Sequence, residues 1–335
     1  MRRILFLLCG PLALVATSEW LDATAPATAA PAGSSARVLG EDAKSRFAGA
    51  WRLASIERLG PKGEVLPPAA PVSLGRPTGM IVYDPSGYMA VDIMQPGRRL
   101  YAGAQPTPEE AREALASYTS YFGTFSVNEA EGTVTHHLQG SLNPGMGADQ
   151  KRFFELSENR LSLKPPPGPT GAQSRLNWER LPDLPNLTTV HRRFIGFWKL
   201  VTNERRRPNG EGISSNTGQT GFIVYTASGH MGAHLMQPGR KRYAAAQPTP
   251  EEAMAALSTY TSYFGPYTIH ESDGFVVHHR VGIVNPGQVG SDAQRFYEQT
   301  GNRLILKPPS TLVLGQPVQG MLTWERLSAD AGASR

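Results

Sequence analysis

A chain of 335 residues, 40% hydrophobic and 18% charged, is long enough for about two globular domains and too apolar for disorder. Its net charge of +5 comes from Lys and Arg scattered along the chain, without the basic run and interleaved aromatics that a nucleic-acid face requires. The one cysteine, Cys9, excludes a disulfide framework and a cysteine-ligated metal site.

The N-terminus opens on Arg2-Arg3, an apolar run from Ile4 to Ala16 and then small residues. That is the pattern of a secretory signal peptide, expected over residues 1–24, and it is too short to span a bilayer. Export to the periplasm or the medium follows, with no stable membrane insertion after cleavage. Residues 25–45, rich in Ala, Pro and Ser, read as a flexible leader.

A first domain is expected over 46–180. Trp51, Leu53 and Ser55 alternate with their neighbours at a period of two. Strands at Gly79–Tyr83 and Tyr88–Met94 flank the turn Asp84-Pro85-Ser86-Gly87, a hairpin signal. Thr107-Pro108-Glu109-Glu110 carries the chemistry of a helix start: a capping threonine, proline at the first helical position and a glutamate able to complete a capping box. Ala111, Leu115, Tyr118 and Phe122 share one helical face, so the helix is expected to run to Gly123. Strands follow at Thr124–Asn128, Thr133–Gln139, Lys151–Leu156, Leu161–Lys164 and Ser174–Arg180.

The chain then repeats itself. Met94-Gln95-Pro96-Gly97-Arg98 recurs as Met236-Gln237-Pro238-Gly239-Arg240, and Tyr118–Gly123 recurs as Tyr260–Gly265. The offset stays nearly constant from Gly79/Gly221 to Asn143/Asn285 and drifts slightly by the closing Trp178/Trp324. A period this long marks a duplicated domain rather than a solenoid. The second domain is expected over 194–327, after a proline-containing linker at 181–193 and before a tail at 328–335. About eight short strands and one helix per copy favour a sheet closed into a barrel, which removes its exposed edges.

Gly49-x-Trp51 and Gly196-x-Trp198, Gly87–Met89, the capped helix, Thr133–His137 and the closing Trp178-Glu179-Arg180 together resemble the bacterial and fungal lipocalin-like domain family. The resemblance implies an all-β fold: two tandem eight-stranded antiparallel lipocalin-like β-barrels, each with one short α-helix. It also implies a small hydrophobic ligand, and an arginine packed on the first-strand tryptophan, for which Arg180 and Arg326 are the matching residues. At Gly229-His230 a histidine replaces the tyrosine of Gly87-Tyr88, so the two interiors are expected to differ.

Adjacent strand residues point to opposite faces, so neither His136-His137 nor His278-His279 can chelate one metal. Composition around them points inward for His136 in one copy and for His279 in the other, although one topology permits one register. A histidine hydrogen-bonded within the wall and one serving as ligand contact or general base share this pattern. His230 and His234 are strand residues roughly 13 Å apart and cannot share a metal unaided. Arg152 and Arg295 could each hold a ligand carboxylate by a two-pronged contact, or could snorkel outward. Asn143-Pro144-Gly145 and Asn285-Pro286-Gly287 are turn chemistry.

The candidate ligand-binding residues are Trp51, Tyr88, Tyr118, His136, His137, Asn143 and Arg152. Their second-domain companions are Trp198, His230, Tyr260, His278, His279, Asn285 and Arg295. No cofactor is expected, because the chain lacks a phosphate loop, a dinucleotide fingerprint, a zinc helix and a Gly-x-Ser-x-Gly elbow. Three functions remain open. One is carriage of a small hydrophobic molecule in one or both barrels. Another is a cofactor-independent isomerase or cyclase with a lumen histidine as acid/base, by analogy with fungal cyclases that join two such domains. The last is an interaction module with solid cores.

Overall fold

The computed structural model describes residues 44–67 and 74–328; the expected signal peptide, most of the leader and most of the C-terminal tail lie outside them. The first domain runs β1 (Gly49–Leu59), β2 (Val65–Leu66), β3 (Thr78–Tyr83), β4 (Tyr88–Met94), α1 (Pro108–Ala116), β5 (Tyr118–Asn128), β6 (Thr133–Ser141), β7 (Asp149–Leu156), β8 (Arg160–Lys164) and β9 (Gln173–Arg180). Strands β1 and β3–β9 pair in sequence, all antiparallel, and β1 pairs with β9 from Trp51↔Arg180 to Leu59↔Gln173. That last pairing closes an eight-stranded barrel; β2 only extends one end of β1.

After α2 (Thr189–Phe194), the second domain repeats the plan: β10 (Gly196–Arg206), β11 (Gly212–Ser215), β12 (Thr220–Tyr225), β13 (His230–Met236), α3 (Pro250–Ser258), β14 (Tyr260–His270), β15 (Phe275–Arg280), β16 (Gly282–Ile283), β17 (Ser291–Thr300), β18 (Arg303–Lys307), β19 (Thr311–Val313) and β20 (Gln316–Arg326). Closure comes from β10 against β20, Trp198↔Arg326 to Arg206↔Gln319. The short strands β11, β16 and β19 pair outside the eight-stranded circuit.

The capping boxes form as the residues dictate: Thr107 accepts from the Glu110 backbone while the Glu110 carboxylate accepts from the Thr107 backbone, and Thr249 and Glu252 repeat it. The helices, however, stop at Ser117 and Thr259, short of the expected Gly123. Tyr118–Phe122 belongs to β5, pairing with β4 from Tyr88↔Thr124 to Met94↔Tyr118. Tyr-Thr-Ser-Tyr-Phe fits a helical face by spacing, but its aromatic and β-branched residues suit a pleated strand, and the β4 edge supplies the backbone partners. Strand β5 is therefore continuous where a helix and a separate Thr124–Asn128 strand were expected. At Gly123 and Gly265 a Cβ would lie 1.9 Å from the carbonyl oxygens of His137 and His279, so only glycine lets the bulged strands approach there.

Three apolar clusters follow from the alternation. Trp51, Leu53, Ile81, Tyr83, Met89 and Val91 belong to one filling the first barrel, and Trp198, Leu200, Ile223, Tyr225 and Met231 to one filling the second. The third lies between the barrels and draws on both: Met80, Tyr88, Phe122 and Leu142 meet Phe197, Phe222, Phe264 and Val284. Helices α1 and α3 pack on each other at this junction.

Candidate functional site

Each barrel is sealed at one end by the same device. The Trp51 indole is fully buried and donates to the Phe47 carbonyl at 2.9 Å, with the Arg180 guanidinium 4.1 Å above its ring. Trp198, Phe194 and Arg326 repeat it, again at 4.1 Å. Gly49 and Gly196 make room: both hold φ near +130°, and a Cβ there would come within 2.8 and 2.7 Å of the arginine. The arginine-on-tryptophan contact implied by the family resemblance is present in both copies, but it is a plug of packed side chains.

Deeper in the wall, β6 and β15 settle the histidine register. His136 and His278 point inward and are buried, while His137 and His279 lie outside, bonded to Asp149 and Asp292 at 2.8 Å. The outward pull of composition in the second copy came from Phe275, which stacks on His270, and from half-exposed Val281. His136 sits between two hydroxyls, Tyr83 at 2.8 Å from Nε2 and Tyr121 at 2.9 Å from Nδ1. Tyr225 and Tyr263 hold His278 the same way, at 2.8 and 3.0 Å. Burial pushes both histidines well below the usual imidazole range, and Arg152 or Arg295 adds to it. A neutral imidazole has one donor and one acceptor nitrogen, so each histidine is saturated by its tyrosines and fixes their orientation.

The second barrel contains a cavity of about 230 Å³. Ile223, Ala233, Leu235, Leu306 and Leu322 give it an apolar wall; Tyr263, Arg295 and exposed Arg205 supply polar groups. Asn203, Thr261, Pro308, Gly320 and Trp324 complete the lining, and the buried Nε1 of Trp324, like that of Trp178 in the first barrel, has no hydrogen-bond partner. The residues at the positions matching Ala233 and Gly320 in the first barrel are Val91 and Ser174, so the second copy has lost volume at two places facing this space.

The remaining candidate residues lie elsewhere. Tyr88, Tyr118 and Tyr260 face the junction between the barrels rather than either interior. Asn143 and Asn285 accept from the Gly145 and Gly287 backbone at 2.8 and 2.9 Å and shape turns. His230 is part-buried on the outer face against Ser228. Arg152 and Arg295 reach inward, where they perturb the buried histidines.

Two sets of residues were missed. Arg98 and Arg240, within the repeated Met-Gln-Pro-Gly-Arg stretch, cross the junction reciprocally. Arg98 donates to the carbonyls of Ile283 and Val284, at 2.6 and 2.5 Å, and Arg240 to those of Ser141 and, at 2.6 Å, Leu142. Between them lies a buried polar cluster. Ser120 bonds His234 at 3.1 Å, Tyr260 at 3.1 Å and Ser262 at 2.9 Å, while Asp92 accepts from Tyr118 at 3.2 Å and from Ser262. His234 Nε2 stands 3.4 Å from Asp92 Oδ2, out of line for a hydrogen bond. Asp92 and His234 occupy equivalent positions of the two copies, so the cluster straddles the pseudo-two-fold relation. Serine, histidine and aspartate are the types of a nucleophilic triad, but all three are at most 1% exposed and no substrate reaches them. The signal was available: strand alternation puts Asp92, Ser120, His234 and Ser262 on outward faces, where so polar a row needs a partner. Among the described residues, no group of three His, Cys, Asp or Glu is placed to hold a metal.

Two closed eight-stranded antiparallel barrels in tandem define an all-β protein of the lipocalin-like fold class. The chain belongs to the lipocalin-like domain family, whose model matches residues 48–181 and 195–327. No curated protein matches it. Among solved structures, a protein of unknown function from Nostoc punctiforme aligns at 10% identity over 86% of this chain and 99% of its own, with a TM-score of 0.23. A candidate outer membrane protein from Bacteroides fragilis aligns at 9% identity over 84% and 99%, also at 0.23. Overlaps this loose carry no argument about function.

Proposed function

We propose that this protein is an exported carrier that binds one small, largely apolar molecule in its second barrel. The single observation behind this reading is the cavity of about 230 Å³, walled by aliphatic side chains and faced by Tyr263 and Arg295. Pockets of this kind gain affinity from apolar burial and orientation from a few polar groups. Export rests on the N-terminal charge and apolar pattern. Carriage is favoured over isomerase or cyclase chemistry because His278 has both ring nitrogens engaged by tyrosines and its proton affinity is depressed, which leaves no free base for a substrate.

Titration with octan-1-ol, followed by tryptophan emission, tests the reading against a variant that restores the first barrel's residues, Ala233→Val with Gly320→Ser. The native protein should take up octan-1-ol and the filled variant should lose most of that uptake. Native mass spectrometry of protein from its own host should show a bound small molecule in the former alone. A native protein that takes up no octan-1-ol and carries nothing from its host overturns the proposal.

A further inference from the structure

We infer that the second barrel selects an acid: its ligand is a small monocarboxylate, with the carboxylate held by Arg295 beside Tyr263 and a compact apolar body against the aliphatic wall. The inference rests on the carrier reading and names the ligand class for the same cavity.

The charge balance of the cavity carries it. Two guanidinium groups, Arg295 and Arg205, line the space, and no aspartate or glutamate does. Among the described residues neither arginine has an ion-pair partner, although nine Lys or Arg ion pairs form elsewhere, including Arg175 with Glu57 and Lys164 with Glu155. A part-buried cation without a counter-ion is costly, and the cost is recovered when an anion arrives.

Comparison with the first barrel sharpens the point. There Arg152 donates to its own neighbour's carbonyl at 2.8 Å and also to the Gln150 side-chain oxygen at 3.2 Å. Arg295 keeps the backbone contact, to Gln294 at 2.7 Å. The residue matching Gln150 is Ala293: the pairs His136↔Gln150 and His278↔Ala293 have the same register. The second copy has thus removed the acceptor that occupies the first copy's guanidinium. It has also placed Arg280 where the first has Leu138, and burial together with the neighbouring Arg295 lowers the Arg280 proton affinity. Arg280 does not line the cavity: its guanidinium donates to the Gln288 side chain and to the Ser291 and Asp292 carbonyls, so Arg295 is left as the inward cation. The Arg295 fork faces the space beside Tyr263, which His278 fixes, with Arg205 as a second cation and no carboxylate opposite, and a guanidinium fork fits a carboxylate with two parallel bonds. At about 230 Å³ the space is below the 300–1,000 Å³ typical of drug-sized ligands, so the acid is small.

The test compares three probes of one length, octanoate, octan-1-ol and octylamine, by calorimetry on the full mature protein at neutral pH. Octanoate should bind at least about tenfold more tightly than octan-1-ol, and octylamine more weakly than either. Arg295→Met, which keeps the stem and removes the charge, should erase the octanoate advantage and leave octan-1-ol affinity within about twofold. Arg152→Met, the matched change in the first barrel, should leave all three affinities unchanged and controls for a general loss of positive charge. Binding of octan-1-ol with no preference for octanoate overturns the carboxylate inference and leaves the carrier reading standing. Binding of none of the three overturns both. An octanoate preference that survives in Arg295→Met assigns the anion to another group and overturns the role given to this arginine.

Discussion

The two barrels share a frame and differ in what the frame encloses. The tryptophan plug, the guanidinium over it, the histidine between two tyrosines and the capped helix recur with distances that agree within 0.1 Å. The interiors do not recur. Val91, Ser174 and Gln150 of the first become Ala233, Gly320 and Ala293 in the second, and these changes open space or remove the side-chain acceptor of the inward arginine. Duplication relieves one copy of a constraint that the other can still carry. Here the matched residues mark what the fold needs, and the unmatched ones mark where the proposed carrier function has room to act.

The hardest test of that division is the shared frame. Trp51→Ala and Trp198→Ala should each destabilise their barrel by about 3–5 kcal/mol, since each removes a fully buried indole and the cation–π contact above it. Denaturant unfolding should show two nearly equal costs. If one substitution is tolerated within about 1 kcal/mol, that plug is not structural and the comparison of frames breaks.

A smaller effect is expected where the copies meet. Asp92 and His234 are equivalent positions, so a pairing of identical copies would set acid against acid or imidazole against imidazole at this junction. The acid/base difference makes unlike halves fit each other. His234→Asp should cost about 3 kcal/mol, because a second carboxylate is buried beside Asp92 with no cation to meet it. His234→Asn, neutral and able to hydrogen-bond Ser120, should recover most of the loss. Equal stability of the two variants, read from the unfolding transition, would show that charge at this place is immaterial. Since Arg98 and Arg240 hold carbonyls across the junction independently, the barrels should remain docked in both.

The hairpin at Asp84–Gly87 and the helix caps were legible because each depends on residues close together in sequence, and the duplication and barrel because the same ordered series of short strands occurs twice. Tyr118–Phe122 was misread for the same reason. Its spacing satisfies a helical face as well as a strand, and only the waiting edge of β4 decides between them. Composition points His136 the right way but not His278, since outward Phe275 and Val277 cover a wall that local pattern cannot tell from a lumen. The junction was invisible for a different cause. Arg98 finds its acceptors at Ile283 and Val284, far along the chain, and nothing near Arg98 announces them. The cavity comes from absent side-chain volume at Ala233 and Gly320, which is legible only beside Val91 and Ser174 once the strands are in register.

The gentlest prediction concerns pH, and it separates the matched histidines from the unmatched one. His136, His278 and His234 are fully buried, and burial is the largest cause holding each below the ordinary imidazole value; arginines reinforce it for the first two, whereas Asp92 opposes it for His234. The unfolded chain titrates near 6.5, so below that pH the unfolded state holds more protons than the folded one. The stability contributed by the neutral imidazoles is therefore complete above about 6.5 and falls as the pH drops toward their lowered folded values. Each buried histidine adds a slope of about 1.4 kcal/mol per pH unit in that window. Unfolding by denaturant between pH 6.5 and 5 should show this decline, and a flat profile would mean the histidines are charged in the folded protein. His136→Gln and His278→Gln should each remove one histidine's share, because their surroundings match. His234→Asn should remove less, since the nearby carboxylate already favours the charged form and narrows the interval over which folded and unfolded chains differ in protonation.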